Sequence, residues 1–255
     1  MKKVDFGLTS NDYVKHRAGF PQKFFDEIHK FDIGKERQEI LDLGTGTGTL
    51  ARGFAKQGAI VTGIDISKEL IGQAKILDRE QRLSIDYVVD KVEEMSFAPQ
   101  SFDCIVAGQC WHWFDRQKVA KKSKSILKKG GQLVIAHFDW IPIDGNIVDK
   151  TEKLILKHNP SWHLSGGTGI YPDWFTDVAK AGFIDIQSYT FDLSIPYTHR
   201  GWRGRIRASA GIGASLEPQK VENFDQELQQ MLAKFFPENT LRILHRVFTL
   251  ICKKP

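Results

Sequence analysis

Three glycines, Gly44, Gly46 and Gly48, alternate with threonines directly after a short apolar run. Because glycine has no Cβ atom, such a loop allows positive φ angles and a close approach of its backbone to a ligand. Helical periodicity follows the loop, so its amides lie at a helix N-terminus. The next predicted strand, residues 59–66, ends in Asp65, whose carboxylate can accept both hydroxyls of an adenosine ribose. These residues predict a site for an adenosine-type cofactor.

A second group of reactive and aromatic residues follows a predicted buried strand at 101–108. It consists of Gln109, Trp111, His112 and Trp113. In an open parallel sheet, ligands bind beyond the carboxyl ends of the strands, where the strand order reverses. The aromatic cluster should therefore lie beside the cofactor.

The glycine loop and the aromatic cluster resemble the same family. Residues 41–48 with Asp65 resemble motif I and the following acidic position of class I S-adenosylmethionine-dependent methyltransferases. The Ser-Phe-Asp-x-Ile-Val run at 101–106, followed by Trp-His-Trp-Phe-Asp at 111–115, is similar to a Methyltransf_11-type branch with trans-aconitate methyltransferase-like enzymes. The resemblance implies S-adenosyl-L-methionine as the cofactor and methyl transfer to a small molecule as the activity.

The resemblance also implies a fold class. We expect an α/β protein of the Rossmann-like class I methyltransferase fold, with a seven-stranded, mostly parallel sheet, an antiparallel last strand and a helical cap insertion. The chain is interpreted as one domain, 1–255, with a cofactor-binding core at 38–138. The remaining expected parts are an N-terminal lid at 1–37, cap insertions at 139–170 and 197–237, and last strands at 183–195 and 241–253.

Cofactor-binding roles follow residue by residue from the resemblance. They fall on Asp42, Gly44, Thr45, Gly46, Gly48, Asp65, Ile66, Asp90, Val92 and Gln109. Asp42, directly before the loop, would attract the ammonium of an amino-acid moiety and repel a pyrophosphate. Lys91 occupies the usual acidic position for the adenine contact, so the backbone of Val92 is expected to make it, with Asp90 as the nearest acid.

An N-terminal element completes the expected cofactor site. Residues 13–21 look like the segment that folds over the cofactor in small-molecule methyltransferases, which would bring Tyr13 and Arg17 to the site. A polar lead-in to a packing helix is the alternative interpretation.

For methyl transfer, the protein chiefly aligns the nucleophile with the methyl carbon and the sulfur. A hydroxyl or ammonium acceptor needs a base, and His112 is the candidate, with Trp113 beside it; a carboxylate acceptor needs none. A packing role for His112 stays open. Trp111 is expected to line the acceptor site.

The acceptor prediction depends on arginines. Four arginines occur within residues 200–207, and Arg203 and Arg207 share a helix face by their spacing. Because guanidinium binds carboxylates bidentately, we expect a small acidic acceptor. The alternative is a solvated basic face.

Composition and charge indicate which partners and which cellular compartment to expect. The net charge of +5 is mild, and the lysine-rich run at 118–129 is typical of a solvated helix, so we expect no nucleic-acid partner. The 3 cysteines show no CxxC spacing, which predicts neither disulfides nor a metal site. With no signal-peptide-like or membrane-spanning apolar stretch, a cytoplasmic protein is expected. The oligomeric state is left open.

Two other functions fit parts of the pattern. The spacing of Gly46, Gly48 and Ala51 formally satisfies a dinucleotide pattern, so a nicotinamide-dependent oxidoreductase is one alternative. A non-catalytic, methyltransferase-like binding domain is the other, with the lysines at 118–129 or the arginines at 200–207 as its contact surface.

Overall fold

The structure is a computed structural model that describes residues 19–255. Tyr13 and Arg17 lie outside the described residues. The strands are β1 (Glu39–Leu43), β2 (Ile60–Asp65), β3 (Asp86–Val89), β4 (Phe102–Gly108), β5 (Leu127–Trp140), β6 (Ile184–Thr198) and β7 (Thr240–Lys253). The helices are α1 (Gln22–His29), α2 (Thr49–Lys56), α3 (Lys68–Gln81), α4 (Arg116–Ile126), α5 (Ile147–His158), α6 (Pro172–Lys180), α7 (His199–Arg207) and α8 (Pro218–Phe235).

The seven strands form a sheet in the order β3-β2-β1-β4-β5-β7-β6. β1 is parallel to both β2 and β4, and the β2–β3 and β4–β5 pairs are also parallel. The strand order therefore reverses between β1 and β4, as expected.

β7 runs against its neighbours. The Lys254 amide donates to the Gly131 carbonyl and the Ile141 amide to the Leu244 carbonyl, so residue numbers fall along β7 as they rise along β5. Between β7 and β6, Arg246 pairs with Asp192 and Lys253 with Asp185, so β7 is antiparallel to β6 as well. The mostly parallel sheet with an antiparallel last strand confirms the predicted fold class.

The chain divides into two compact units, whose borders fall within β5, β6 and β7 or directly before Tyr171. The sheet unit comprises residues 19–138, 171–190 and 247–255, and the described part of the insertion unit comprises 139–170 and 191–246. The predicted cap segments at 139–170 and 197–237 fall in the insertion unit. Their role as a cap stays a prediction.

The core of the sheet unit consists of apolar strand residues and large aromatic side chains. Leu41, Leu43 and Ile105 are fully buried, and Trp111 and Trp174 pack in the same cluster. This core fixes the carboxyl ends of β1 and β4 beside each other.

The insertion unit has its own core. Trp202 of α7, Phe224 and Leu228 of α8 and Ile155 of α5 are fully buried there. The Trp202 indole N–H donates to Thr151 Oγ1 at 3.1 Å, which satisfies its polar atom.

β3 and β5 differ most in length among the parallel strands: β3 has 4 residues and β5 has 14. β5 is long because Gly130 and Gly131 continue the strand. Both glycines form backbone hydrogen bonds with Lys254, and Gly130 has a φ of 72°. In the described residues, no helix is long and apolar enough to cross a membrane.

Candidate cofactor and catalytic site

The glycine loop joins β1 to α2 and has a conformation that side chains disfavour. Gly44, Gly46 and Gly48 have φ values of 59°, 56° and 76°, in the left-handed region. A Cβ atom on Gly44 would lie 2.9 Å from Cys110 Cβ. The loop is thus both left-handed and closely packed against the residue that follows β4.

Asp42, in β1 before the loop, binds the loop through hydrogen bonds. Its Oδ2 accepts from Thr45 Oγ1 at 2.7 Å and from the Ala51 amide at 3.2 Å. The side chain is only 2% exposed, and burial raises its pKa to about 7 against these hydrogen bonds. The described contacts of Asp42 therefore fasten the loop to the start of α2, and a direct contact with an ammonium stays a prediction.

Asp65, at the end of β2, binds the same loop. Its Oδ2 accepts from the Gly46 amide and its Oδ1 from the Ser67 amide, both at 2.8 Å. Burial raises its pKa, while these backbone donors oppose the rise. A carboxylate has about four acceptor positions, so these two hydrogen bonds do not fill it.

Three further predicted residues lie on the β2 and β3 side of the loop. Ile66, directly after Asp65, is 60% exposed and offers an apolar surface. The Asp90 amide donates to the Asp65 carbonyl at 3.1 Å, so β3 ends beside β2. The Val92 side chain is buried at the start of a short 3₁₀ helix, which leaves its backbone as the group that could contact a ligand.

Gln109 and Cys110 follow β4 and face the first strand and β5. Gln109 has a φ of 59°, its amide donates to the Ala136 carbonyl at 2.9 Å, and its Nε2 donates to the Phe138 carbonyl. The Cys110 thiol donates to the Leu43 carbonyl at 3.0 Å. The turn after β4 is therefore fixed against both flanking strands.

The aromatic cluster forms a short 3₁₀ helix, Trp111–Trp113. Trp111 is fully buried, and its indole N–H lies 3.4 Å from Asp177 Oδ2. It packs in the core of the sheet unit, and the expectation that it lines the acceptor site stays a prediction. Trp113 is 41% exposed, and the ring of half-buried His112 lies 4.5 Å from it.

The sequence reasoning missed two residues near His112. The His137 ring, near the end of β5, lies 5.2 Å from the His112 ring, and its Nδ1 lies 3.0 Å from Tyr171 Oη. A histidine inside the apolar run 133–138 was the available signal, because polar side chains are rare in a buried strand. Tyr171 carried no such signal.

A buried ion pair near the glycine loop was also not predicted from the sequence. Arg52 of α2 binds Asp78 of α3 at 3.2 Å and the Thr47 carbonyl at 2.6 Å. Both side chains are nearly buried, so the pair connects the glycine loop to the next helix. Nothing in the local sequence pattern marks it.

Arg203 and Arg207 lie on α7 in the insertion unit, where both bind Asp225 of α8. Arg203 makes a bidentate contact, and Arg207 donates at 2.7 Å. Burial raises the pKa of Asp225, but the two arginines outweigh it and hold this pKa below its usual value. The two arginines that were expected to bind a carboxylate of the acceptor therefore already bind the carboxylate of Asp225.

The lysine-rich run is also internally engaged. Several of its members bind carboxylate or carbonyl oxygens of the sheet unit: Lys118, Lys122, Lys124 and Lys128. The expectation that this run binds no nucleic acid stays a prediction. Within residues 19–255, no cluster of His, Cys, Asp and Glu could hold a metal ion.

Comparison with known proteins identifies the region that contains this site. Residues 41–135 match the family described as "Methyltransferase domain". A ubiquinone biosynthesis O-methyltransferase of Coxiella burnetii is 38% identical over 97 residues, which cover 38% of this chain and 42% of that protein. The same-named protein of Xanthomonas euvesicatoria is 27% identical over 173 residues, 67% of this chain and 70% of that protein. The match thus spans less than half the length of the Coxiella relative.

A solved structure supports the fold over a longer stretch. Phosphoethanolamine N-methyltransferase 2 of Haemonchus contortus, in complex with phosphomonomethylethanolamine and S-adenosylhomocysteine, superposes with a TM-score of 0.61. It is 20% identical, and the superposition covers 100% of this chain and 61% of that one. Residues 41–135, which include the glycine loop, Asp65 and the aromatic cluster, are therefore similar to a methyltransferase domain, and the chain has the class I methyltransferase fold.

Proposed function

We propose that the protein is an S-adenosylmethionine-dependent methyltransferase that acts on a small molecule. The observation that carries this proposal is the left-handed glycine loop after β1, bound by Asp65 from the end of β2 through the Gly46 amide. This arrangement lies at the carboxyl end of the sheet, next to the reversal of strand order, where open α/β sheets bind ligands.

The residues of the loop fit the cofactor. Gly44, Gly46 and Gly48 leave the backbone without side chains where a ligand would approach, and Asp65 keeps acceptor positions for ribose hydroxyls. Exposed Ile66 offers an apolar face to an adenine ring. When bound, the cofactor supplies a methyl group on a positively charged sulfur.

His112 is the proposed base. It follows β4, and the half-buried ring can take a proton on one nitrogen when a hydroxyl acceptor attacks. Exposed Trp113 is the proposed wall of the acceptor site, where an indole excludes water and orients the acceptor.

A hydroxyl is the first acceptor class to test. Both curated relatives are named O-methyltransferases, which favours an oxygen acceptor. The Haemonchus protein is an N-methyltransferase of similar fold, so the fold by itself does not choose the acceptor atom. An acidic acceptor loses its main support, because Arg203 and Arg207 are bound to Asp225.

The other functions have less support. The family that matches the glycine loop is a methyltransferase family, which favours S-adenosylmethionine over a dinucleotide. A binding-only domain would need free basic groups, whereas several lysines and two arginines of the suggested surfaces are paired. We propose a cytoplasmic location, since the three cysteines are buried thiols and form no disulfide with one another.

Calorimetric titration of the protein with S-adenosylhomocysteine, and separately with a reduced nicotinamide dinucleotide, tests the proposal. We expect micromolar binding of the first, about −8 kcal/mol, and none of the second. Asp65→Ala should weaken binding roughly ten- to a hundred-fold. Asp86→Ala, on the exposed start of β3, is the control and should change nothing. Binding of the dinucleotide alone, or of neither ligand, would reject the proposal.

A further inference from the structure

A buried histidine lies behind the candidate base. His137 is 3% exposed, and its ring is enclosed by three others within the sheet unit. Ring centroids of Tyr171, Trp174 and His112 lie 4.7, 4.9 and 5.2 Å away. An imidazole in such a place costs free energy unless its nitrogens find partners, so its presence calls for a reason beyond packing.

Tyr171 fixes the orientation of the His137 ring. Tyr171 Oη lies 3.0 Å from His137 Nδ1, within hydrogen-bond distance. The phenol ring itself is stacked on Trp174 at 3.8 Å with an interplanar angle of 4°, and its edge contacts Phe248. A hydroxyl held by a rigid ring limits the orientations open to the His137 imidazole.

His137 in turn contacts His112 edge to face. The two ring planes meet at 65°, and the centroid distance of 5.2 Å is typical of a T-shaped pair. The pairing of β4 with β5 aligns Gly108 with Ala136, so the residues just after these positions lie at the same end of the two strands. The His112 ring therefore contacts both the buried His137 ring and partly exposed Trp113.

We propose that His137 is a positioning residue for His112, which sets the ring orientation and the proton-bearing nitrogen of His112 through a ring fixed by Tyr171. The inference rests on the proposed function, because it gives the candidate base its correct tautomer before an acceptor arrives. A base must present an unprotonated nitrogen toward the proton it removes. If His112 is a mixture of tautomers, only part of the protein can therefore accept that proton. His137 and Tyr171 touch neither cofactor nor acceptor in this proposal.

The test measures the tautomer of His112 and does not require a known acceptor. Long-range ¹H–¹⁵N correlation spectra of the labelled protein are recorded with and without S-adenosylhomocysteine, at a pH where the imidazoles are neutral. The His112 signals are identified by their loss in His112→Asn. In the unmodified protein we expect one dominant tautomer; in Tyr171→Phe and His137→Phe the tautomer ratio should change at least about two-fold.

Tyr189→Phe is the matched control. It removes a buried tyrosine hydroxyl from the same unit, on a ring stacked against Phe31 at 5.7 Å. The His112 tautomer ratio should stay unchanged in this variant. An unchanged ratio in Tyr171→Phe, or an equal change in Tyr189→Phe, overturns the proposal.

Two measurements keep the outcomes separate. Thermal unfolding establishes that each variant folds, and Tyr171→Phe decides the question if His137→Phe does not, since it removes a single oxygen. Calorimetry with S-adenosylhomocysteine on the same samples tests the cofactor independently. A protein that fails to bind this ligand rejects the proposed function, while the spectra recorded without ligand still decide the His137 proposal.

Discussion

The carboxylate of Asp65 accepts the Gly46 backbone amide at 2.8 Å, so the end of β2 holds the middle of the glycine loop. Its other oxygen accepts from the Ser67 amide, at the residue that caps α3. One side chain thereby joins the loop after β1 to the turn after β2. The geometry gives Asp65 a structural task in addition to the proposed contact with ribose.

Because Asp65 accepts from two backbone amides, its loss should change the hydrogen exchange of those amides even without a ligand. In Asp65→Ala, the Gly46 and Ser67 amides lose their acceptor, so their hydrogen exchange should become about ten-fold faster. Amide exchange followed by mass spectrometry or NMR measures it. Asp86→Ala should leave both amides unchanged. Equal protection in Asp65→Ala and the unmodified protein would contradict the structural role.

Gly44 should not tolerate a side chain. Its φ is 59°, and an added Cβ atom would lie 2.9 Å from Cys110 Cβ, so Gly44→Ala forces the loop away from the turn after β4. We expect destabilisation of about 1–3 kcal/mol and weaker binding of S-adenosylhomocysteine. Urea unfolding and calorimetry measure the two effects.

Gly72→Ala provides the control for this substitution. Gly72 lies inside α3, and nothing would contact an added Cβ within 4 Å. The alanine should stabilise the helix by about 0.5–1 kcal/mol and leave ligand affinity alone. A Gly44→Ala protein as stable as Gly72→Ala would show that the loop can relax.

The Arg52–Asp78 pair should be strongly coupled. Both side chains are nearly buried, so Arg52→Met leaves an uncompensated carboxylate and should cost about 3–5 kcal/mol. Adding Asp78→Leu should recover much of that loss, because the double variant buries no lone charge. Lys30→Met breaks the exposed Lys30–Glu27 pair and should cost less than about 1 kcal/mol. Additive effects of the two buried substitutions would refute the coupling.

Local patterns predicted the fold well, because the class I arrangement repeats strand, loop and helix units with short-range signals. The glycine loop, Asp65 and the buried run of β4 all follow from residues close in sequence. Contacts between distant residues were not predictable in this way. Asp225 neutralises Arg203 and Arg207 from another helix, and Tyr171 reaches His137 from the start of α6. Helical spacing shows which arginines share a face, yet it cannot show what that face meets.

His245 should make the protein sensitive to acid. It is buried in the insertion unit, and burial lowers its pKa to about 4, below the usual 6.5. Its contribution to stability is complete above pH 6.5 and is lost as the pH falls toward 4, because the unfolded chain binds the proton first. Relative to the unmodified protein, His245→Phe should lose less stability over this range, by up to about 3 kcal/mol. His163→Gln, exposed in the same unit, should keep the original slope in urea unfolding.

Asp42 should have an effect of the opposite sign. Because burial raises its pKa to about 7, the folded protein keeps a proton that the unfolded chain loses near pH 4. The free energy of unfolding should therefore fall as the pH rises from about 4 to about 7 and stay level above that range. Asp42→Asn cannot ionise and can still accept from Thr45 and Ala51, so it should avoid this loss.

The comparison of Asp42→Asn with the unmodified protein isolates the carboxyl group. The stability difference in favour of the asparagine should be near zero at about pH 4 and grow to roughly 1–4 kcal/mol above pH 7. Asp86→Asn, whose side chain is exposed, should give a difference independent of pH. A difference that is constant for Asp42→Asn as well would mean that the carboxylate is ionised beneath the loop throughout. In that case a charged Asp42 would be available to an ammonium group, and its predicted role toward the cofactor would gain support.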